Sequence, residues 1–288
     1  MTQLAETRAT GSFATLVDVV APGGVLVLSG AGLSTESGIP DYRGPTGLAR
    51  RAAGSTPMTY QTFTGSVAAR RRYWARSHLG WRHIARATPN DGHHAVAALG
   101  RRGLLTGIIT QNVDGLHQAA GSSKVTELHG SLHRVICLSC ERRTSRTELD
   151  RRLAAANPGW EAESAALINP DGDAVLADDT TDSFQVVDCS ACQGVLKPDV
   201  VFFGENVPRQ RAEACYAMVE RASSLVVFGS SLTVMSGFRY VRHAARLRLP
   251  VVIVNQGSTR GDAYATTTLD APLGEVLTAL VAGLGERR

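Results

Sequence analysis

The sequence predicts an α/β protein with a doubly wound, mostly parallel sheet, because short apolar runs alternate with helical segments along the chain. Four runs have the composition of buried parallel strands: Val25–Leu28, Gly107–Ile109, Leu225–Phe228 and Val251–Val254. Each stops at a small or polar residue, at Ser29, Thr110, Gly229 and Asn255 respectively. Helices are expected between strands at residues 92–99, 211–221 and 237–247. Ligands of open parallel sheets bind beyond the carboxyl ends of the strands. The four strand ends are therefore expected to share one site.

The first run is followed by Gly30-Ala31-Gly32, a turn without Cβ atoms at two positions, where backbone N–H groups can approach a pyrophosphate. This marks a Rossmann-like, nucleotide-binding sheet. The turn is not the ordinary dinucleotide fingerprint. Thr35 stands in place of the third glycine, and no acidic residue lies at the expected ribose-binding distance. A polar loop from Ser34 through Asp41, Tyr42 and Arg43 runs where a helix would begin. A hydride-transferring dehydrogenase has no need of such a loop, which suits folding over the nicotinamide end of a cofactor.

Two insertions interrupt the sheet. Residues 46–90, rich in Arg, Ala and aromatics, are expected to form a helical module, and residues 133–195 a metal-binding module. The Rossmann-like domain is then built in three parts, 1–45, 91–132 and 196–288. Within the second insertion, Thr147 is expected to cap a short helix that stops before Pro158. Cys137-x-x-Cys140 and Cys189-x-x-Cys192 lie 48 residues apart. Two such knuckles can hold one Zn²⁺ by four thiolates, a closed site with no position left for chemistry. Cys215 stands alone and is expected in the core.

Hydrophobic content of 43% with 19% charged residues is that of an ordinary globular protein. No apolar run reaches the roughly 20 residues of a membrane span, and no secretory core follows Met1, so a cytoplasmic protein is expected. Residues 161–188 carry eight acidic groups and no Lys or Arg, so the net +4 conceals +12 on the rest of the chain. Arg70, Arg71, Arg72, Arg76, Arg82 and Arg86 cluster in the helical insertion. No nucleic-acid readout motif accompanies them, and neither nucleic acid nor membrane is expected as a partner.

Two further segments complete a set of ordered blocks: Thr110-Gln-Asn-Val-Asp-Gly-Leu-His117 and Glu127-Leu-His-Gly-Ser131. With the first loop and the paired cysteines they resemble the sirtuins, NAD-dependent protein-lysine deacylases, from about Val25 to Val281. The resemblance implies NAD⁺ as co-substrate, acylated-lysine proteins as substrates, transfer of the acyl group to ADP-ribose and release of nicotinamide. His129 matches the family's catalytic histidine and suits a base, since imidazole titrates near neutrality. Asn112 and Gln111 would orient the ribose, Asp114 would accept from the nicotinamide carboxamide, and Val113 would add backbone contacts. Gly30, Ala31, Gly32, Ser34, Asp41, Tyr42 and Arg43 would form the cofactor loop, with Tyr42 where the family often has Phe. Gly229, Ser230 and Ser231 would meet phosphate and ribose. Asn255, Gln256 and Gly257 match the adenosine-ribose contacts, and Leu273 a late adenine contact.

The substrate peptide is expected to add as a strand between Lys197–Glu205, containing Val201, Phe202, Phe203 and Gly204, and Leu232–Phe238. The second edge departs from the commoner pattern, which has a proline after the valine. Ser236-Gly237-Phe238, the acidic insert and Tyr73-Trp-Ala-Arg76 are instead similar to class II sirtuins. Tyr73 and Arg76 share the Tyr-x-x-Arg spacing that other sirtuins use for acidic acyl groups; an amphipathic helix with Arg76 in solvent explains the spacing equally. Mono-ADP-ribosyl transfer and a non-catalytic NAD-sensing module are the alternatives to deacylation.

Overall fold

A computed structural model describes residues 12–41, 57–160 and 179–285. Tyr42, Arg43 and most of the acidic insert lie outside the described residues. The strands are β1 (Val25–Ser29), β2 (Leu105–Thr110), β3 (Val125–Glu127), β4 (Gly130–Cys137), β5 (Arg143–Ser145), β6 (Leu196–Val200), β7 (Ser224–Phe228), β8 (Val251–Val254) and β9 (Thr267–Leu269). Among the described residues six of them form a sheet in the order β3-β2-β1-β7-β8-β9, with every pairing parallel. The expected four strands are at its centre.

The strands are buried on both faces, and their alternation divides two cores. Val25, Val27, Ile108, Val226, Phe228, Val252 and Val254 pack with the helices Phe13–Val20, Asp91–Arg101 and Leu273–Gly283. Leu26, Leu28, Ile109, Leu225, Val227, Val251 and Ile253 pack with the helices Arg209–Glu220 and Met235–Arg246. Helices on both faces make the sheet doubly wound. The three expected helices begin one or two residues earlier than the sequence suggests, at Asp91, Arg209 and Met235. Cys215 is fully buried in the second core, as expected.

β1 is the first strand, with β2 on one side and β7 on the other, so successive crossovers leave it in opposite directions. Such a switch point opens a crevice at the carboxyl ends of β1 and β7.

The helical insertion contains Tyr60–Gly65 and Val67–Arg86, capped by Thr59 and Ser66. A separate antiparallel sheet, β5-β4-β6, carries the cysteine knuckles. The expected limits at 133 and 195 cut through β4 and stop one residue short of β6. The module's helix starts at Arg146 rather than after a Thr147 cap. Ser145 is the residue in extended conformation, and its Oγ accepts from the Glu148 N–H at 3.1 Å. Thr147 already lies inside the first turn, which corrects the expected cap. Among the described residues no helix is long and apolar enough to cross a membrane.

Candidate active site

A cavity of about 780 Å³ opens over the switch point. Its lining brings together Gly30, Ala31, Gly32, Ser34 and Asp41 after β1, and Gln111, Asn112, Val113, Asp114 and His129 from the loops around β2 and β3. Gly229, Ser230 and Ser231 after β7, Asn255 and Gln256 after β8, and Leu273 complete that side. Val201, Phe202, Phe203, Gly204 and Tyr73 line the opposite wall. Gly257 is not among the lining residues; its N–H is held by Asp270, and its carbonyl accepts from Asn255.

The glycines of the first turn have a different task from the one expected. A Cβ on Gly30 would stand 2.7 Å from the Gly229 carbonyl oxygen, and one on Gly32 2.9 Å from the Gly229 Cα. Gly30 N–H donates to the Phe228 carbonyl and Gly32 N–H to that of Gly229, at 3.0 and 2.9 Å. Both amides are thus spent on protein. The glycines let two strand-end turns press backbone against backbone, and Gly229 itself adopts φ +63°.

A polar network ties the loops together. Ser34 Oγ donates to Asp114 Oδ2 at 2.7 Å, and Asn112 Nδ2 donates to Ser34 Oγ and to the Gly30 carbonyl. Gln111 Nε2 donates to Ser230 Oγ at 2.7 Å. Asp114 Oδ1 accepts from the Leu116 N–H. Burial raises the Asp114 pKa, opposed by these two donors.

His129 lies in the turn between β3 and β4, held there because Gly130 at φ +84° crosses against the Asp199 carbonyl too closely for any Cβ. Its Nδ1 is 2.9 Å from the Gln111 carbonyl, which can only accept, so Nδ1 carries the proton. Burial lowers the imidazole pKa to about 4, with Arg211 and Arg239 adding repulsion and the Gln111 carbonyl opposing them. At neutral pH the ring is therefore a neutral base with its lone pair on Nε2.

The substrate-side segment is anchored from below. Lys197, 3% exposed, donates to the Val200 carbonyl and to Glu205 Oε2, while Glu205 Oε2 also accepts from the Phe202 N–H. Tyr60 N–H donates to the Phe203 carbonyl, joining the helical insertion to this loop. Phe203 on one side and Val234 and Met235 on the other are exposed apolar residues at the rim. Tyr73 is buried in an aromatic cluster with Phe63, Trp74 and Phe202. Arg76 is not among the described residues that line the cavity.

His93 and His117 are buried structural residues outside the cavity lining, and His133 bonds the Asp114 carbonyl at 2.8 Å. Ser236 and Arg239 line the cavity but were not expected as site residues. Their i, i+3 spacing on a helix that begins at a strand-end loop was the available signal.

The four knuckle cysteines place their sulfurs within 4.8 Å of one another, with Cys137–Cys192 at 3.5 Å and Cys140–Cys189 at 3.9 Å. A tetrahedral ion with Zn–S near 2.3 Å requires sulfurs about 3.8 Å apart. The Cys140 and Ser139 backbone N–H groups lower the Cys137 thiol to about 6, whereas the crowded Cys140 sulfur pushes Cys192 up to about 12, so the thiols nearest one another do not ionise together unless a cation neutralises them. The cluster fits one structural zinc ion, and all four cysteines are free of disulfides.

Residues 30–236 match the model of the Sir2 family. The chain is 62% identical over 278 residues to NAD-dependent protein deacetylase 1 of Streptomyces coelicolor, covering 96% of this chain and 92% of that protein. It is 52% identical over 269 residues to NAD-dependent protein deacetylase 1 of Mycobacterium avium, covering 92% and 93%. A solved Sir2 structure with a p53 peptide and NAD⁺ superimposes with a TM-score of 0.74 at 28% identity, covering 96% of this chain and 100% of that one. Sir2Tm bound to a propionylated peptide gives 0.73 at 27% identity, covering 96% and 99%. With these blocks in order around one cavity, the chain belongs to the Sir2 family.

Proposed function

We propose that this protein is an NAD⁺-dependent protein-lysine deacylase that passes the acyl group to ADP-ribose and releases nicotinamide. The observation that carries the reading is His129, a neutral base that lines the cavity together with the strand-end loops and the Val201–Gly204 wall. When bound, NAD⁺ supplies an electrophilic ribose carbon, a departing nicotinamide and the hydroxyl that accepts the acyl group. Asp114 and Val113 would hold the carboxamide, and Asn112 and Gln111 the ribose. Ala31, Ser34 and Asp41 would form the cofactor loop, with Tyr42 and Arg43 continuing it.

Ser230, Ser231, Asn255, Gln256 and Leu273 lie at the ends of β7 and β8 and before the last helix, which suits the phosphates and adenosine. His129 takes the proton of the attacking hydroxyl at Nε2, and the Gln111 carbonyl stabilises the resulting charge through Nδ1–H. Phe202 and Tyr73 exclude water from the acyl chain, and the Phe203 and Val234 edges would receive the acylated-lysine peptide as a strand. The Ser236-Gly237-Phe238 segment supports a class II-like subgroup. The four free thiols suit a cytoplasmic, reducing setting.

The test is incubation with NAD⁺ and a panel of acyl-lysine peptides, following O-acyl-ADP-ribose. His129→Ala is expected to lower acyl transfer by about 10²–10⁴-fold while NAD⁺ binding persists. Acyl transfer at the parent rate in that variant would refute the assignment.

A further inference from the structure

The lone pair of His129 Nε2 already has a partner within the protein. Ser236 Oγ lies 2.7 Å from Nε2, and because Nδ1 carries the ring proton, the serine hydroxyl is the donor. The arrangement is Ser236 Oγ–H to Nε2, and Nδ1–H to the Gln111 carbonyl, with the ring fixed at both nitrogens. Ser236 sits in the first turn of the Met235–Arg246 helix. Its neighbour Gly237 is what lets that turn come so near. A Cβ at Gly237 would stand 2.5 Å from Gln111 Oε1, so a larger residue would displace the Gln111 side chain from its place against the helix start. Gln111 is itself pinned by Ser230. The Ser-Gly pair therefore seats a helix start directly against the base and against the residue that orients it.

We propose that Ser236 is a positioning residue for His129, holding the imidazole in the orientation and tautomer in which Nδ1 is protonated and Nε2 keeps its lone pair under the Ser236 hydroxyl. The inference rests on the reading of His129 as the base. A serine suits this task because its hydroxyl can donate or accept. In the resting enzyme it donates to Nε2. The Ser236 O–H first rotates off the single Nε2 lone pair, a substrate hydroxyl then gives its proton to Nε2, and the Ser236 oxygen, its hydrogen now turned away, accepts from the imidazolium Nε2–H. Ser236 neither gains nor loses a proton overall, so it does not titrate or react. An alanine or proline here would leave the ring held at Nδ1 alone, free to rotate about that one bond.

The test uses the full-length protein with imidazole-¹⁵N labelling, the His129 signals being assigned by their absence in His129→Ala. Without NAD⁺, the parent protein is expected to show a protonated Nδ1 and an Nε2 resonance displaced by hydrogen bonding. Ser236→Ala is expected to shift that resonance to the position of an unbonded lone pair, and Ser236→Thr, which keeps the hydroxyl, to return it. The same alanine variant should lower acyl transfer about tenfold, the effect of one hydrogen bond on a barrier. Nicotinamide exchange, which needs no base, should keep its rate, and the threonine variant should recover most of the loss.

An Nε2 resonance that does not move in Ser236→Ala would overturn the proposal. So would acyl transfer at the parent rate, or equal losses in exchange and transfer, which would make Ser236 a packing residue. If His129→Ala itself retains acyl transfer, the base assignment fails, a result separate from the Ser236 resonance.

Discussion

Ser34 and Asp114 are joined by a 2.7 Å hydrogen bond across 80 residues of sequence, clamping the loop after β1 to the loop after β2. Asp114 Oδ1 accepts from the Leu116 N–H, and Oδ2 from the Ser34 hydroxyl. Asp114 is 7% exposed. A pocket with an acceptor fixed this way is suited to a carboxamide N–H₂.

Asp114→Asn is therefore expected to weaken inhibition by nicotinamide by about tenfold or more, the scale of a hydrogen bond to a charged acceptor. The new amide must keep its oxygen toward Leu116, which turns its N–H₂ toward Ser34 Oγ. That oxygen already accepts from Asn112 Nδ2, and the serine hydrogen loses its acceptor. Nicotinamide inhibition curves of the two proteins decide the matter, and identical curves would contradict the pocket.

Loss of zinc should unfold the module built on β4, β5 and β6. The knuckle cysteines tie the end of β4 to the segment leading into β6 at one end of this small sheet, and zinc bound to four thiolates contributes on the order of 10–16 kcal/mol in small peptides. Metal analysis is expected to find one zinc per chain. Cys137→Ser, or a strong chelator, should lower the thermal midpoint by many degrees, whereas Cys215→Ser should leave the zinc content intact. A zinc-free protein of full stability would exclude the site.

Two buried histidines predict acid sensitivity. Burial lowers His93 to about 3, with His117 and His94 adding repulsion, and lowers His117 to about 4. Both are depressed from 6.5, so below that pH the unfolded chain takes up protons that the folded chain refuses. Stability is then full above about pH 6.5 and falls as the pH drops toward 4. Each group contributes a loss of up to about 3 kcal/mol by that point, at 1.36 kcal/mol per pH unit. Denaturant midpoints measured at pH 7.5 and 5 should show it, and His117→Gln should flatten the slope. Equal midpoints at the two pH values would rule this out.

The acyl chain is expected to be neutral. Ile39, Met58, Leu132, Phe202 and Tyr73 line the wall on the substrate side, and Arg76 is not among the described lining residues. A carboxylate buried against these side chains, away from Arg239 on the His129 side of the cavity, would cost several kcal/mol, whereas an apolar chain would be favoured by the same wall. Acetyl- and longer neutral acyl-lysine peptides should be processed faster than succinyl or glutaryl ones, and Arg76→Met should affect both classes alike. A selective loss on the acidic peptides, of the roughly 3–5 kcal/mol size of a broken buried ion pair, would restore the Tyr73–Arg76 pair as a carboxylate reader.

The parallel strands, the four strand ends and the paired cysteines were legible in the sequence because each depends on local pattern. A strand buried on both faces must be apolar throughout, and a four-thiolate site needs two close pairs. His129, Asn112 and Asp114 were legible as ordered motifs. What the sequence could not determine was the partner of each polar group. Gly30 and Gly32 mark a turn open to a phosphate, and folding also sets them against Gly229, because β1 and β7 are neighbours in the sheet although their paired residues are 199 apart in the chain. Ser236 was legible as part of the Ser236-Gly237-Phe238 segment, but nothing in that segment pointed to His129 as its partner. Only the seating of the Met235–Arg246 helix against Gln111 brings its hydroxyl to His129, a contact across 107 residues. The sequence by itself determined which chemistry-bearing residues the chain owns and which element ends present them. The tertiary structure alone decided which of their hydrogen bonds are spent within the protein, since that depends on crossovers between distant strands rather than on any local preference.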